Sequence, residues 1–245
     1  GVLGYTSPRP AIGDRSTWAQ HFKQAGYHTA RVGKIYHMGV PGGVEDFGSG
    51  RDHDGADDPA SWTERFNTPG PEWRAAGTGE TLENNPDGKK PVVGGNTFVV
   101  VEADGDDDTH ADGKAAAKAI ELLRARRGRP EPFFLAVGFV KPHLPFVAPK
   151  KYWDLYDPAK IQLAPNKFRP KDAPDYSILS GGELRNYKDI PESSIPDDLA
   201  RQLKHGYYAA ISYMDAQLGR VLDELERLKL RENTLIVFMG DNGSA

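Results

Sequence analysis

The stretch Pro132-Phe-Phe-Leu-Ala-Val-Gly-Phe-Val-Lys-Pro-His-Leu-Pro-Phe146 decides the fold class. Its first half is a near-continuous apolar run, Phe133 to Val137, inside a strand expected over 132–139. Such a run suits a parallel strand covered on both faces. Its second half, Lys141 to Phe146, sets two prolines around one histidine directly after that strand. Proline fixes its own backbone angle, so the turn is stiff. A stiff turn suits a side chain that must point at a substrate. It equally suits a plain turn with a hydrogen-bonded histidine, and at this level both readings stand.

Working outward, the order of elements is that of an α/β protein. Ser16 to Gly26 reads as a short helix, capped by Ser16, ended by Gly26, with Trp18 and Phe22 on its inner face. A strand over 28–32 follows, then the turn Gly33-Lys-Ile-Tyr-His37. Thr97 to Val101 reads as a strand, and Asp112 to Arg127 as a helix with Ala116, Ala119, Ile120 and Leu123 facing inward. Pro196 to Leu228 is the strongest helical pattern. Leu199, Leu203, Tyr207, Ile211, Met214, Leu218, Val221 and Leu225 recur at spacings of three and four, and Asp197 and Asp198 suit the positive end of the helix. Thr234 to Met239 reads as a further strand. Alternating strands and helices predict a parallel sheet with right-handed crossovers. Residues 39–96 and 149–195, rich in Gly, Pro, Asp and Asn, read as long loops.

The 245 residues suffice for one large α/β domain. A net charge of −4, with acidic and basic residues interspersed, gives no sign of a nucleic-acid or anionic-membrane partner. The absence of cysteine excludes disulfides, thiolate zinc ligands and a cysteine nucleophile within these residues. No apolar run reaches the roughly 18 residues of a membrane span, and no signal peptide is visible at Gly1.

Three groups of polar residues lie just past predicted strands, where an open α/β sheet gathers its ligands. Lys34 and His37 could face one anionic group, supplying a fixed charge and a proton, or could be ordinary turn residues. Lys141 and His143 form the second group. The third is Asp241-Asn242-Gly243, read either as oxygen ligands for a hard cation such as Ca²⁺ or as a strand-ending turn. The acidic run Asp104, Asp106, Asp107 and Asp108 lacks an EF-hand pattern and reads as a solvated loop. Ser7-Pro8-Arg9-Pro10 reads as a proline-rich loop.

Three stretches together carry a resemblance. They are Phe22-Lys-Gln-Ala-Gly-Tyr-His-Thr-Ala-Arg-Val-Gly-Lys-Ile-Tyr-His37, Pro132 to Phe146, and Tyr207-Tyr-Ala-Ala-Ile-Ser-Tyr-Met-Asp-Ala-Gln-Leu-Gly-Arg-Val-Leu222 running on to Gly240-Asp-Asn-Gly243. In order and spacing the chain resembles the sulfatase family of the alkaline-phosphatase-like superfamily, its iduronate-2-sulfatase-like branch above all. The resemblance implies a three-layer α/β sandwich with a mostly parallel central sheet, incomplete at both ends. Residues 1–245 would be the central part of a single catalytic domain. It implies that Asp241 and Asn242 ligate Ca²⁺, that Lys34 and His37 contact the nucleophile and the sulfate, and that His143, with Lys141 beside it, faces the ester. The implied activity is hydrolysis of a sulfate ester on a sulfated sugar or glycan, 2-O-sulfated uronate included. Exported, periplasmic or lysosomal placement is implied by analogy.

The chain also departs from the family pattern. The family's nucleophile, a Cys or Ser of a C/S-x-P-x-R motif matured to formylglycine, has no counterpart here, since the arginine of Thr6-Ser7-Pro8-Arg9 is misplaced. The motif is expected upstream, together with paired acidic metal ligands, and a further Lys beyond Asn242. The chain alone is therefore expected to be inactive and to fold poorly. The iduronate branch often has His where Asn242 stands, which leaves the subfamily open. Two rivals remain. One is a phosphodiesterase or phosphonate hydrolase on the same fold, and the other a catalytically inactive protein that binds sulfated glycans. Arg51, His53, Trp62 and Trp73 are candidates for a sugar pocket, with ordinary loop contacts as the alternative. Oligomeric state is not encoded in any pattern seen.

Overall fold

A computed structural model describes residues 8–36, 57–71, 75, 77–79, 99–174, 182–187, 190–191 and 194–240. Its main elements are α1 (Arg9–Ile12), α2 (Trp18–Gln24), β1 (His28–Gly33), β2 (Glu64–Phe66), β3 (Gly77–Gly79) and β4 (Val100–Ala103). They are followed by α3 (Ala111–Arg126), β5 (Phe133–Gly138), β6 (Phe146–Pro149), α4 (Lys150–Trp153) and α5 (Asp197–Arg227).

The strands form two three-stranded sheets. The first has the order β2-β1-β5, all parallel, with His28 opposite Phe133 and Gly33 opposite Gly138. The second has the order β3-β4-β6, with β3 antiparallel to β4 and β4 parallel to β6. The parallel α/β arrangement expected from the sequence is present, but the described strands divide between two sheets. The turn after β5 carries the chain from one to the other, and Phe146 N–H bonds Val99 O at 2.8 Å.

The first sheet is covered on both faces. Ala30 and Val32 point to α3, where they meet Ala115 and Leu122. Thr29 and Arg31 point the other way, toward α2 and the segment 57–63. There Phe22 stacks on Phe134 at 5.0 Å and Trp62 lies 6.3 Å from the same ring. The second sheet and α4 rest on α5 through Val100, Ala148, Tyr152, Trp153, Leu203 and Tyr213. Helices α3 and α5 meet through Leu123, Leu225 and Leu228.

Several expectations are corrected. Thr17, not Ser16, caps α2, accepting from Gln20 N–H at 3.1 Å. Trp18 is 70% exposed, and Ala19 takes the inner position. β4 is shifted two to three residues beyond the predicted strand. β5 is half-buried along most of its length, because its outer edge has no strand beside it among the described residues. The 39–96 and 149–195 stretches are not wholly loop: they contribute β2, β3 and α4. Thr234 to Met239 forms no strand and pairs with neither sheet, and Leu235, Val237, Phe238 and Met239 are exposed.

In α5 the buried positions are Leu203, Gly206, Ala209, Ala210, Tyr213, Gln217, Glu224 and Leu225, while Tyr207, Ile211, Met214 and Leu218 are half-buried. Small residues win the deepest positions because the second sheet comes close. A Cβ on Gly206 would lie 2.9 Å from Val100 and Trp153 side-chain atoms.

Candidate active site

β1 and β5 both end in glycine, and the reason is steric. A Cβ on Gly138 would lie 1.7 Å from Lys34 O, and one on Gly33, at φ +72°, would lie 2.2 Å from Gly138 O. The strand ends therefore touch, and Lys34 N–H donates to Gly138 O at 3.1 Å. Because the strands are parallel, Lys34 and the turn bearing Lys141 and His143 leave the same carboxyl edge. Two groups that lie more than one hundred residues apart in sequence are thereby brought to one end of one sheet. His37 and the pair Asp241 and Asn242 lie outside the described residues. So do Arg51, His53 and Trp73.

His143 is held at both ring nitrogens. Nδ1 donates to Leu144 O at 2.6 Å, and Nε2 lies 3.2 Å from the Glu183 carboxylate. Both ring nitrogens therefore lie against oxygen acceptors, which fixes the plane of the imidazole. The ring keeps about one third of its surface in solvent. Lys141 is different, being 4% exposed with its Nζ donating to Pro145 O at 2.9 Å. Its ammonium braces the turn from inside.

The turn after β1 has its own support, which sequence patterns missed. Arg31, 1% exposed, donates to Asp57 Oδ2 at 3.0 Å, to Gly33 O at 2.8 Å and to Asn67 Oδ1 at 3.1 Å. A buried ion pair of this kind stands only when its remaining hydrogen-bonding groups are satisfied, and Trp62 Nε1–H donates to Asp57 Oδ1 at 3.0 Å. Trp62 is therefore buried structure, 5% exposed, and not part of a sugar pocket. Beside it Arg9 bonds Asp58 through Nε at 3.0 Å, and Ser61 Oγ donates to the same carboxylate. Tyr36 packs into this group. Burial pushes its phenol up, opposed by hydrogen bonds with Ser61 and Thr17. The only signal for this network was a charged residue in mid-strand, Arg31, which had to find a partner.

The acidic run is structural. The Asp106 side chain caps the turn 107–109, and Asp108 pairs with Arg220 at 2.7 Å. Asp107 meets Lys151 at 2.8 Å and Tyr152 OH at 2.9 Å. Burial alone would raise the Asp107 carboxyl, but hydrogen bonds from Lys151, Gln217 and Tyr152 outweigh it and hold the group below its ordinary range. Among the described residues no three acidic, histidine or cysteine side chains converge to hold a metal.

The sulfatase family model matches residues 4–245. The chain belongs to the sulfatase family. Two sulfatase relatives are iduronate 2-sulfatases. The chain is 34% identical to that of Mus musculus over 243 residues, covering 95% of this chain and 41% of the relative. It is 34% identical to that of Homo sapiens over 250 residues, covering 97% of this chain and 42% of the relative. The chain thus spans about two fifths of the length of these sulfatases. Among solved structures, a phosphonate monoester hydrolase from Silicibacter pomeroyi superposes with a TM-score of 0.55 at 19% identity, covering 91% of this chain and 46% of that one. This supports the same α/β fold. No helix among the described residues is long and apolar enough to cross a membrane.

Proposed function

We propose that the protein containing this chain hydrolyses a sulfate ester on a sulfated sugar or glycan, with 2-O-sulfated uronate the leading candidate. One observation carries the reading: Lys34 and the His143 turn leave the same sheet edge, side by side, at the Gly33–Gly138 contact. A sulfuryl group in transfer spreads negative charge over its oxygens, and preplaced cationic donors stabilise that charge as it develops. In this reading Lys34 and His37 face the sulfate and the nucleophile, and His143 gives its Nε2 proton to the leaving alcohol. Lys141 adds charge from beneath the turn. The nucleophile, a formylglycine, belongs to a segment outside these 245 residues.

The carboxylate and amide oxygens of Asp241 and Asn242 are the donor types a hard cation such as Ca²⁺ takes. Bound there, the ion would add positive charge to gather the sulfate oxygens. An exported compartment and a sulfated carbohydrate partner belong to the same proposal.

The test is sulfate release from a 2-O-sulfated uronate disaccharide by the full-length protein. His143→Ala and Lys34→Ala are each expected to lower kcat by about 100- to 10,000-fold. Turnover of a phosphonate monoester or phosphodiester in place of the sulfate ester would assign the protein to that related chemistry. Tight binding of the sulfated disaccharide with no turnover would make it a binding protein.

A further inference from the structure

The turn that carries His143 is gripped by a carboxylate on a different element. Val140 N–H donates to Asp112 Oδ1 at 2.7 Å and Lys141 N–H to Asp112 Oδ2 at 3.0 Å. Asp112 lies in the first turn of α3 and is 1% exposed. Both its oxygens thus receive the backbone of the two residues that immediately precede Pro142. Hydrogen bonds to an ionised carboxylate are shorter and stronger than neutral ones, more so in a buried place. His143 N–H bonds Val140 O at 3.0 Å, and Lys141 Nζ spans the turn to Pro145 O. The carboxylate therefore fixes where the turn starts, and the internal bonds carry that placement to His143.

The helix start that carries Asp112 is itself held in place by neighbouring elements. The adjacent Gly113 donates to Tyr213 OH at 2.7 Å, and a Cβ there would stand 1.8 Å from Asp107 O. The start of α3 is therefore pressed against the 107–109 turn and tied to α5. We infer that Asp112 is a positioning residue for His143, acting through the Val140 and Lys141 amides; its catalytic consequence rests on the sulfate-ester reading above.

Two measurements test this on the full-length protein. The first is amide hydrogen exchange of wild type, Asp112→Asn and Asp112→Ala. Asn keeps one acceptor oxygen and so guards against a variant that fails to fold. The Val140 and Lys141 amides are expected to exchange at least about ten-fold faster in Asp112→Ala, while β5 amides such as Leu135 and Val137 keep their protection. The second is steady-state kinetics. A small displacement of a reacting group costs on the order of 100-fold, so kcat is expected to fall by about that factor with KM changed less than about three-fold, and Asp112→Asn to fall between. Exchange that rises at every amide together, or not at all at Val140 and Lys141, would overturn the positioning role and leave Asp112 as a helix-start residue only. Local exchange as expected in a wild-type protein that releases no sulfate would overturn the sulfate-ester reading while upholding the grip of Asp112 on the turn.

Discussion

Glu224 on α5 is 7% exposed and meets two guanidinium groups, Arg124 at 2.8 Å and Arg227 at 2.5 Å. Hydrogen bonds from Arg227 first, then Arg124, draw its carboxyl from 4.5 down to about 2. A carboxyl lowered in the folded state contributes stability above its unfolded value, and that contribution fades as pH falls toward the folded one. Wild type and Glu224→Gln should therefore differ in melting temperature at pH 5 and above. A gap of about 2–4 °C is the order expected for one modest interaction in a chain of this size. The gap should close between pH 4.5 and about 2, as read by thermal melts across that range. A gap independent of pH would mean that shape, not charge, decides the effect. Asp107, also held below its ordinary range, adds to the same acid sensitivity.

Helix α5 is where local pattern and tertiary contact part company. Its limits were legible to within a residue, because proline, two aspartates and a long apolar rhythm mark them. Which of its faces lies deepest was not, because depth is set by how near the second sheet comes. Small residues and a tyrosine occupy that line. Tyr213, fully buried, accepts from Gly113 N–H at 2.7 Å and donates to Asp107 O at 2.9 Å, linking α5 to the start of α3. Tyr213→Phe would leave the buried Gly113 N–H without this partner and take one donor from the half-buried Asp107 carbonyl, at a cost of about 1–3 kcal/mol. Denaturant titration should show that loss as a lower midpoint with unchanged slope. No change in midpoint would mean that other groups or water replace the hydroxyl.

At the scale of the whole molecule, the segment 234–239 stands apart from both sheets. Its alternate residues differ: Ile236 rests on the Leu123–Leu225–Leu228 cluster, whereas Leu235 is 89% exposed and Val237 61%. A contiguous patch of exposed apolar side chains invites association. The 245-residue chain should therefore bind a hydrophobic dye such as ANS and self-associate. The double variant Leu235→Lys, Val237→Lys should reduce both several-fold while shifting stability by no more than about 0.5 kcal/mol, as surface changes usually do. Unchanged dye binding would show that the segment is covered in solution.

The sequence alone determined the class of fold and the identity of the turn residues. Apolar runs of strand length alternating with helical periodicity leave few alternatives to an α/β layer structure. The spaced motifs around Lys34, His143 and Asp241 named the family that the full-chain match shows. Tertiary structure decided what depends on contacts between distant segments. It placed Lys34 beside the His143 turn through two touching glycines and turned Lys141 inward to Pro145 O. It also buried Arg31 on Asp57 and set Asp112 beneath the turn. None of these could be read from local pattern, because each hydrogen bond joins residues chosen by strand register and helix docking.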